Sequence, residues 1–376
     1  MKKIIVAPGA FKHSISVLQA VSAITDGLRS AGISAELQAL PIADGGNGTL
    51  DAFLVHGGER ISRSARDPLG RMVTADYGLI DDGKTAIVEM AQASGLELIA
   101  NESLRPMAAN TFGTGQLMKD ALSRGVSRLI VGMGGSATVD GALGALTALG
   151  VRFLDEQGQV VEPLPRHLPR IARVDVGDLD ERWRSVEVIV AADVDNPAIG
   201  QRGAAAIFAP QKGASPSDVV ELEAGLSHFF GLIAEQVGVD VREVAGAGAA
   251  GALSGGLMAL LGARILSGID LLLDHAGFES QLHNADLVIT SEGRVDSQTL
   301  GGKGPLGVAR IAHQRGVPSV MFVGGLGIDE ALLRDHGVRA VMPIVDAPLS
   351  LDEALANGAT LLERAARRLG WLLQIG

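Results

Sequence analysis

The 376-residue chain contains no cysteine. Disulfides, thiolate metal centres and a cysteine nucleophile are therefore excluded, and a reducing compartment such as the cytoplasm is the expected location. Aromatic residues make up only 3%, too few for the stacking platforms that hold single-stranded nucleic acid. Positive charge is also short. The 32 Lys and Arg stand against 43 Asp and Glu, a formal net charge of −11, so no nucleic-acid partner is expected. Small anions remain open, because a local cluster of Lys and Arg can bind them inside an acidic protein. Long hydrophobic runs are scarce. The opening MKKIIVAPGAFKHS carries an apolar run too short for the core of a signal peptide. The uncharged stretch VAGAGAAGALSGGLMALLGA, residues 244–263, is mostly Gly and Ala. It reads as a glycine-rich turn feeding a buried helix rather than as a membrane span.

Glycine is abundant, at 50 residues, and 47% of the chain is hydrophobic. This balance suits α/β layers with many tight turns, and the length suggests two domains. KKIIVAP and AELQALPIAD near the start read as strands, as do ADLVIT, PSVMFVG and RAVMPI near the end. Helical patterns follow each of them, and Ser16-x-x-Gln19 and Ser350-x-x-Glu353 are capping boxes. RMVTADYGLIDDGKTAIVEMA reads as an antiparallel hairpin turning at Asp82-Gly83. The expected fold is α/β: a doubly wound, flavodoxin- or Rossmann-like parallel-sheet domain formed by residues 1–66 and 284–376. An inserted α/β domain with a mixed sheet spans 67–283, and the ligand site is expected in the cleft between the two.

In such folds ligands gather at the carboxyl ends of strands. That rule selects the loops GAFKHS with Lys12, ADGGNGT with Asp44, AADVDNP with Asp193 and Asp195, and SEGRVDSQT with Glu292, Arg294 and Asp296. Cations and carboxylates converging there suit phosphoryl transfer, in which Mg²⁺ takes one or two carboxylates plus phosphate oxygens. IVGMGGSATVD, residues 130–140, allows a second possibility. Gly132 to Ala137 fits a dinucleotide fingerprint, and Asp155 lies at the spacing of a ribose-binding acid. A nicotinamide-dependent hydroxy-acid dehydrogenase therefore stands beside the kinase, and so does a non-catalytic sensor of an organic acid. GGKGP around Lys303 is not a Walker A motif.

Taken together, APGAFKHSIS, ADGGNGT, AIVEMAQASGLEL, TFGTGQL, GMGGSATVDGALGALTALG, DVDNPAIG, FAPQKGAS and LVITSEGRVDSQTLGGKGP resemble, in order, the bacterial ATP-dependent glycerate kinases that include the glycerate 2-kinases. The resemblance implies transfer of the γ-phosphoryl group of ATP to D-glycerate with Mg²⁺, giving a phosphoglycerate, 2-phosphoglycerate favoured, and ADP. It implies that Gly134, Gly135 and Ser136 cradle a phosphate or carboxylate. Lys212 and Lys303, retained from the family pattern, join Asp44 as substrate- or phosphate-binding residues. Arg294, with Lys12 or Lys212, is expected to bind the substrate carboxylate or the transferred group. Asp193 and Asp296 are the candidate bases, and Asp193 and Asp195 the candidate metal ligands. Several positions depart from the family pattern, Val139, Ala142 and Ser291 among them; two remove a carboxylate, since Gly9 stands where Asp is common and Asn47 where Glu is usual. Those changes leave open a kinase for a different small hydroxy acid. Expected partners are the small molecules, no membrane, and a homodimer as the oligomer.

Overall fold

The computed structural model describes residues 1–100, 104–296, 299–301 and 304–375. The strands in chain order begin with β1 (Lys3–Pro8), β2 (Glu36–Ala39), β3 (Glu59–Arg66), β4 (Met72–Ile80) and β5 (Thr85–Glu89). Next come β6 (Arg128–Gly132), β7 (Arg152–Leu154), β8 (Arg173–Asp175), β9 (Glu187–Ala191) and β10 (Arg264–Leu266). The last are β11 (Leu287–Val295), β12 (Ser319–Leu326) and β13 (Val338–Pro343).

Two compact units divide the chain. The first comprises Met1–Asp44, Asp51–His56 and Ile269–Gly376, and the second Gly45–Leu50 and Gly57–Gly268. These divisions fall earlier than 66/67 and 283/284 because β3 pairs along its whole length with β4, Arg66 opposite Met72. At the other junction His275 packs its ring on Phe53 of the first unit, centroids 5.2 Å apart. Strand β3 carried a weak apolar signal: ERISRSAR is mostly charged and small residues and buries only Ile61 and Ala65.

The first unit holds a five-stranded sheet in the order β13-β12-β11-β1-β2, all parallel. Its central strands are apolar on both faces because helices cover both. Val320 and Phe322 enter one cluster with Ile4, Val6 and the helices Val17–Ser30 and Gly358–Leu372. Met321 and Val323, one residue out of phase, enter another with Leu306 and Ala309 of the helix Pro305–Gln314. This is the doubly wound arrangement. Both capping boxes form: Ser16 accepts from Gln19 N–H, and Ser350 from Glu353 N–H.

The second unit holds a mixed sheet ordered β10-β9-β6-β5-β4-β3, and β7 and β8 form a separate antiparallel pair. β4 and β5 form the antiparallel hairpin, turning through Asp81, Asp82 and Gly83 at positive φ. Within the mixed sheet β5, β6, β9 and β10 pair in parallel. The glycine- and alanine-rich segment becomes a buried helix, Ala249–Leu261, entered through left-handed Ala250, Gly251 and Ala252. A Cβ on Gly251 would lie 2.0 Å from the Thr138 carbonyl oxygen. Among the described residues no helix is long and apolar enough to cross a membrane.

Candidate active site

In the first unit β1 and β11 are neighbours, yet the helices that follow them cover opposite faces of the sheet. This is the topological switch point, where the carboxyl ends of parallel strands leave room for a ligand. The loop after β1 is tied down by Gly9, whose N–H donates to the Ser291 carbonyl at 3.0 Å. Phe11 and Ile15 close it, with Phe11 N–H donating to Ile15 O at 3.1 Å, and Lys12 is left exposed at its tip.

β11 runs past its apolar part into Glu292 and Arg294. Glu292 is half-buried, and its Oε2 accepts from Thr299 Oγ1 at 3.2 Å. The same Thr299 oxygen accepts from Asp296 N–H at 3.2 Å. Burial pushes the Glu292 carboxyl up to about 7; the Thr299 hydrogen bond and the Lys12 charge oppose the rise, and Asp296 and Asp44 add to it. Lys12, Asp44, Glu292 and Asp296 therefore sense one another at the switch point. Arg294 is 76% exposed, with its Nε 3.8 Å from Asp296 Oδ2. Glu292 stood in a selected loop but carried no assigned role. A carboxylate directly following the apolar run of a parallel strand was the available signal. Its burial was not readable, because the residues that desolvate it are distant in sequence.

In the second unit β5, β6 and β9 end side by side, with Glu89 opposite Gly132 and Gly132 opposite Ala191. The turn after β6 packs on the Gly45–Leu50 segment. Gly134 N–H donates to Gly45 O at 2.9 Å, and a Cβ on Gly134 would lie 2.3 Å from Gly46 Cα. The Gly134 N–H expected to cradle an anion is thus spent on backbone. Gly135 and Ser136 keep N–H groups with no backbone partner among the described residues. Buried Glu89 accepts from Leu50 N–H at 2.6 Å. Asn47 Nδ2 donates to Glu97 Oε1 at 3.0 Å.

The two aspartates after β9 part company. Asp193 is half-buried. Asp195 is 76% exposed and accepts from Arg202 Nη2 with both oxygens, each at 3.0 Å. The segment after Ala191 is not part of the strand, and the Asp195 carboxylate, expected to join Asp193 on a metal, is engaged by Arg202. The remaining donor chemistry, one hard carboxylate, still fits Mg²⁺ completed by phosphate oxygens. Among the described residues no three His, Cys, Asp or Glu side chains gather as a metal group. Lys212, expected to reach a ligand, is buried; its ammonium donates to Ser136 Oγ at 2.6 Å and Thr138 O at 2.7 Å. Lys303 lies outside the described residues.

The dinucleotide alternative fails on topology. No helix begins at the glycine turn: the next one is Leu143–Ala148. Asp155 sits in the turn after β7, an antiparallel strand, where its carboxylate accepts from Gln157 and Gln159 N–H.

The glycerate kinase family model matches residues 4–374. A relative from Halalkalibacterium halodurans called glycerate kinase is 44% identical over 370 residues, 98% of this chain and 97% of its own. Escherichia coli K12 has a glycerate 2-kinase 40% identical over 376 residues, covering 100% of this chain and 98% of its own. A crystal structure from Salmonella typhimurium LT2, provisionally named glycerate kinase 2, superposes with a TM-score of 0.86 at 39% identity, covering 99% and 98% of the two chains.

The chain belongs to the glycerate kinase family. Membership makes it an ATP-dependent kinase, with small molecules as its substrates. The two departures that remove a carboxylate acquire local reasons. A Cβ on Gly9 would lie 2.9 Å from the Ser291 carbonyl oxygen, so a side chain there requires a backbone shift. A carboxylate in place of the Asn47 amide would face the Glu97 carboxylate, which Asn47 now satisfies as a donor.

Proposed function

We propose that this kinase transfers the γ-phosphoryl group of ATP to D-glycerate, releasing ADP and 2-phosphoglycerate. The observation that supports it is the end-to-end likeness to proteins called glycerate kinase, one of them a glycerate 2-kinase. Cationic and carboxylate groups at strand ends within each unit support the reading. In the first, Lys12 and Arg294 would bind the substrate carboxylate or the transferred phosphoryl oxygens, Arg294 by a bidentate contact. Asp44 would add to substrate binding, and Asp296 would accept the hydroxyl proton. In the second, the N–H groups of Gly135 and Ser136 would hold an anionic oxygen. Asp193 would hold Mg²⁺ or serve as base in place of Asp296. Bound there, Mg²⁺ would neutralise charge on the phosphates.

The test is ADP release from ATP and Mg²⁺ with D-glycerate, L-glycerate, glycolate, tartronate or no acceptor, with the product position read by NMR. Turnover confined to D-glycerate with phosphate at the 2-position is the expected result. Turnover with another acid alone assigns a different hydroxy acid. A cytoplasmic location, favoured by the lack of cysteine, and a homodimer belong to the same proposal; light scattering counts the chains.

A further inference from the structure

Lys212 ends the short turn Pro210–Lys212 and is 2% exposed. Two of its three ammonium protons are spent within the second unit, on Ser136 Oγ and on Thr138 O. Asp140 supplies the opposing charge and is fully buried. Its Oδ2 accepts from Thr111 N–H and Thr111 Oγ1, both at 2.8 Å, and from Gly144 N–H at 3.0 Å. Burial lowers the Lys212 ammonium to about 7, against the Asp140 charge that raises it.

A buried charge is retained only where it is paired and hydrogen-bonded, and this one is bonded to the segment that carries the glycine turn. Ser136 accepts the ammonium proton on its oxygen, so its own hydroxyl proton is free to point elsewhere. Ser136 is itself half-buried beside exposed Gly135. The two bonds hold the ammonium against the turn.

We propose that Lys212 is a positioning residue that acts through Ser136. Its ammonium fixes the Ser136 oxygen and the Thr138 carbonyl, so that the turn presents the Ser136 hydroxyl and the Gly135 and Ser136 N–H groups to an anionic oxygen, phosphate or carboxylate. The inference rests on the kinase reading for the identity of that anion, but not for the burial of the lysine.

Two experiments test it. In the first, native wild-type protein is acetylated with acetic anhydride, with and without ATP, Mg²⁺ and D-glycerate, and each lysine is scored by mass spectrometry. Lys12 is expected to label, and Lys212 to stay unlabelled in both samples. Labelling of Lys212 that the ligands suppress would overturn the proposal, whichever acid the enzyme turns over. The second is a cycle of Lys212→Met, Ser136→Ala and the double variant, run with the acid that wild type turns over most rapidly. Each single change should lower kcat/KM about 10- to 100-fold, and the double should be no worse than Lys212→Met alone. Multiplying losses would mean that Lys212 acts independently of Ser136, and would also overturn it. Should Lys212→Met fail to fold, the labelling and Ser136→Ala still decide, since near-normal kinetics in Ser136→Ala refutes the route through its hydroxyl. Failure of wild type to use D-glycerate refutes the functional reading and leaves the labelling result intact.

Discussion

The N–H of Gly134 donates to the carbonyl oxygen of Gly45 at 2.9 Å, so two glycine-rich loops 89 residues apart in sequence meet backbone to backbone. A Cβ on Gly134 would overlap Gly46 Cα at 2.3 Å. Gly134→Ala is therefore expected to move the turn and to lower kcat/KM by about 100-fold, since a displacement near 1 Å has that cost. Steady-state kinetics beside a thermal melt check this; an unaltered kcat/KM would show that the turn does not serve the reaction.

Gly231 provides the opposite case. It lies inside the helix Pro216–Val237, and nothing stands within 4 Å of a Cβ built there. Gly231→Ala should raise stability by about 0.5–1 kcal/mol, the backbone-entropy difference between the two residues in a helix. The change is read as a higher urea midpoint at unchanged activity. A lower midpoint would contradict the open space.

Glu292 links stability to pH. In the unfolded chain its carboxyl ionises near the usual 4.5, whereas burial raises it to about 7 in the folded protein. Between those values the unfolded state releases a proton that the native state keeps. Glu292 thus costs stability as pH rises from 4.5 to about 7, and the loss is complete above that. Glu292→Gln should remove an expense on the order of 2 kcal/mol at pH 8 and none at pH 4. Urea midpoints at the two pH values test the sign; equal shifts at both would refute it.

Asp193 and Asp195 should respond differently to the same change. Asp193→Asn is expected to reduce turnover by about 1,000-fold with an unchanged circular dichroism spectrum, as removal of a base or metal ligand does. Asp195→Asn breaks only an exposed pair with Arg202, and should change turnover less than about threefold. Comparable losses in both would restore Asp195 to the site.

The capping boxes at Ser16 and Ser350, the hairpin at Asp82-Gly83 and the five parallel strands of the first sheet were legible because each depends on residues a few positions apart. Turn chemistry, caps and apolar periodicity are local. The loops proposed to carry the chemistry were chosen for a related reason: in a doubly wound sheet they follow the strands, so finding the strands pointed to Lys12, Asp44, Glu292 and Asp296.

The fold class and the family can thus be read from residues a few positions apart, as can the loops proposed for the site. Which member of each loop is available was decided by tertiary structure alone. Lys12 and Lys212 are the same residue type in two loops, yet one is exposed and the other is buried against Ser136. Asp193 is half-buried, whereas Asp195, two positions on, is exposed and meets Arg202. Glu292 holds its proton near neutrality because residues from separate parts of the chain exclude water around it. Burial and pairing depend on neighbours brought together by the sheet order β13-β12-β11-β1-β2 and its counterpart in the second unit. No local pattern encodes those neighbours, because desolvation and Coulomb energy act through space and not along the chain.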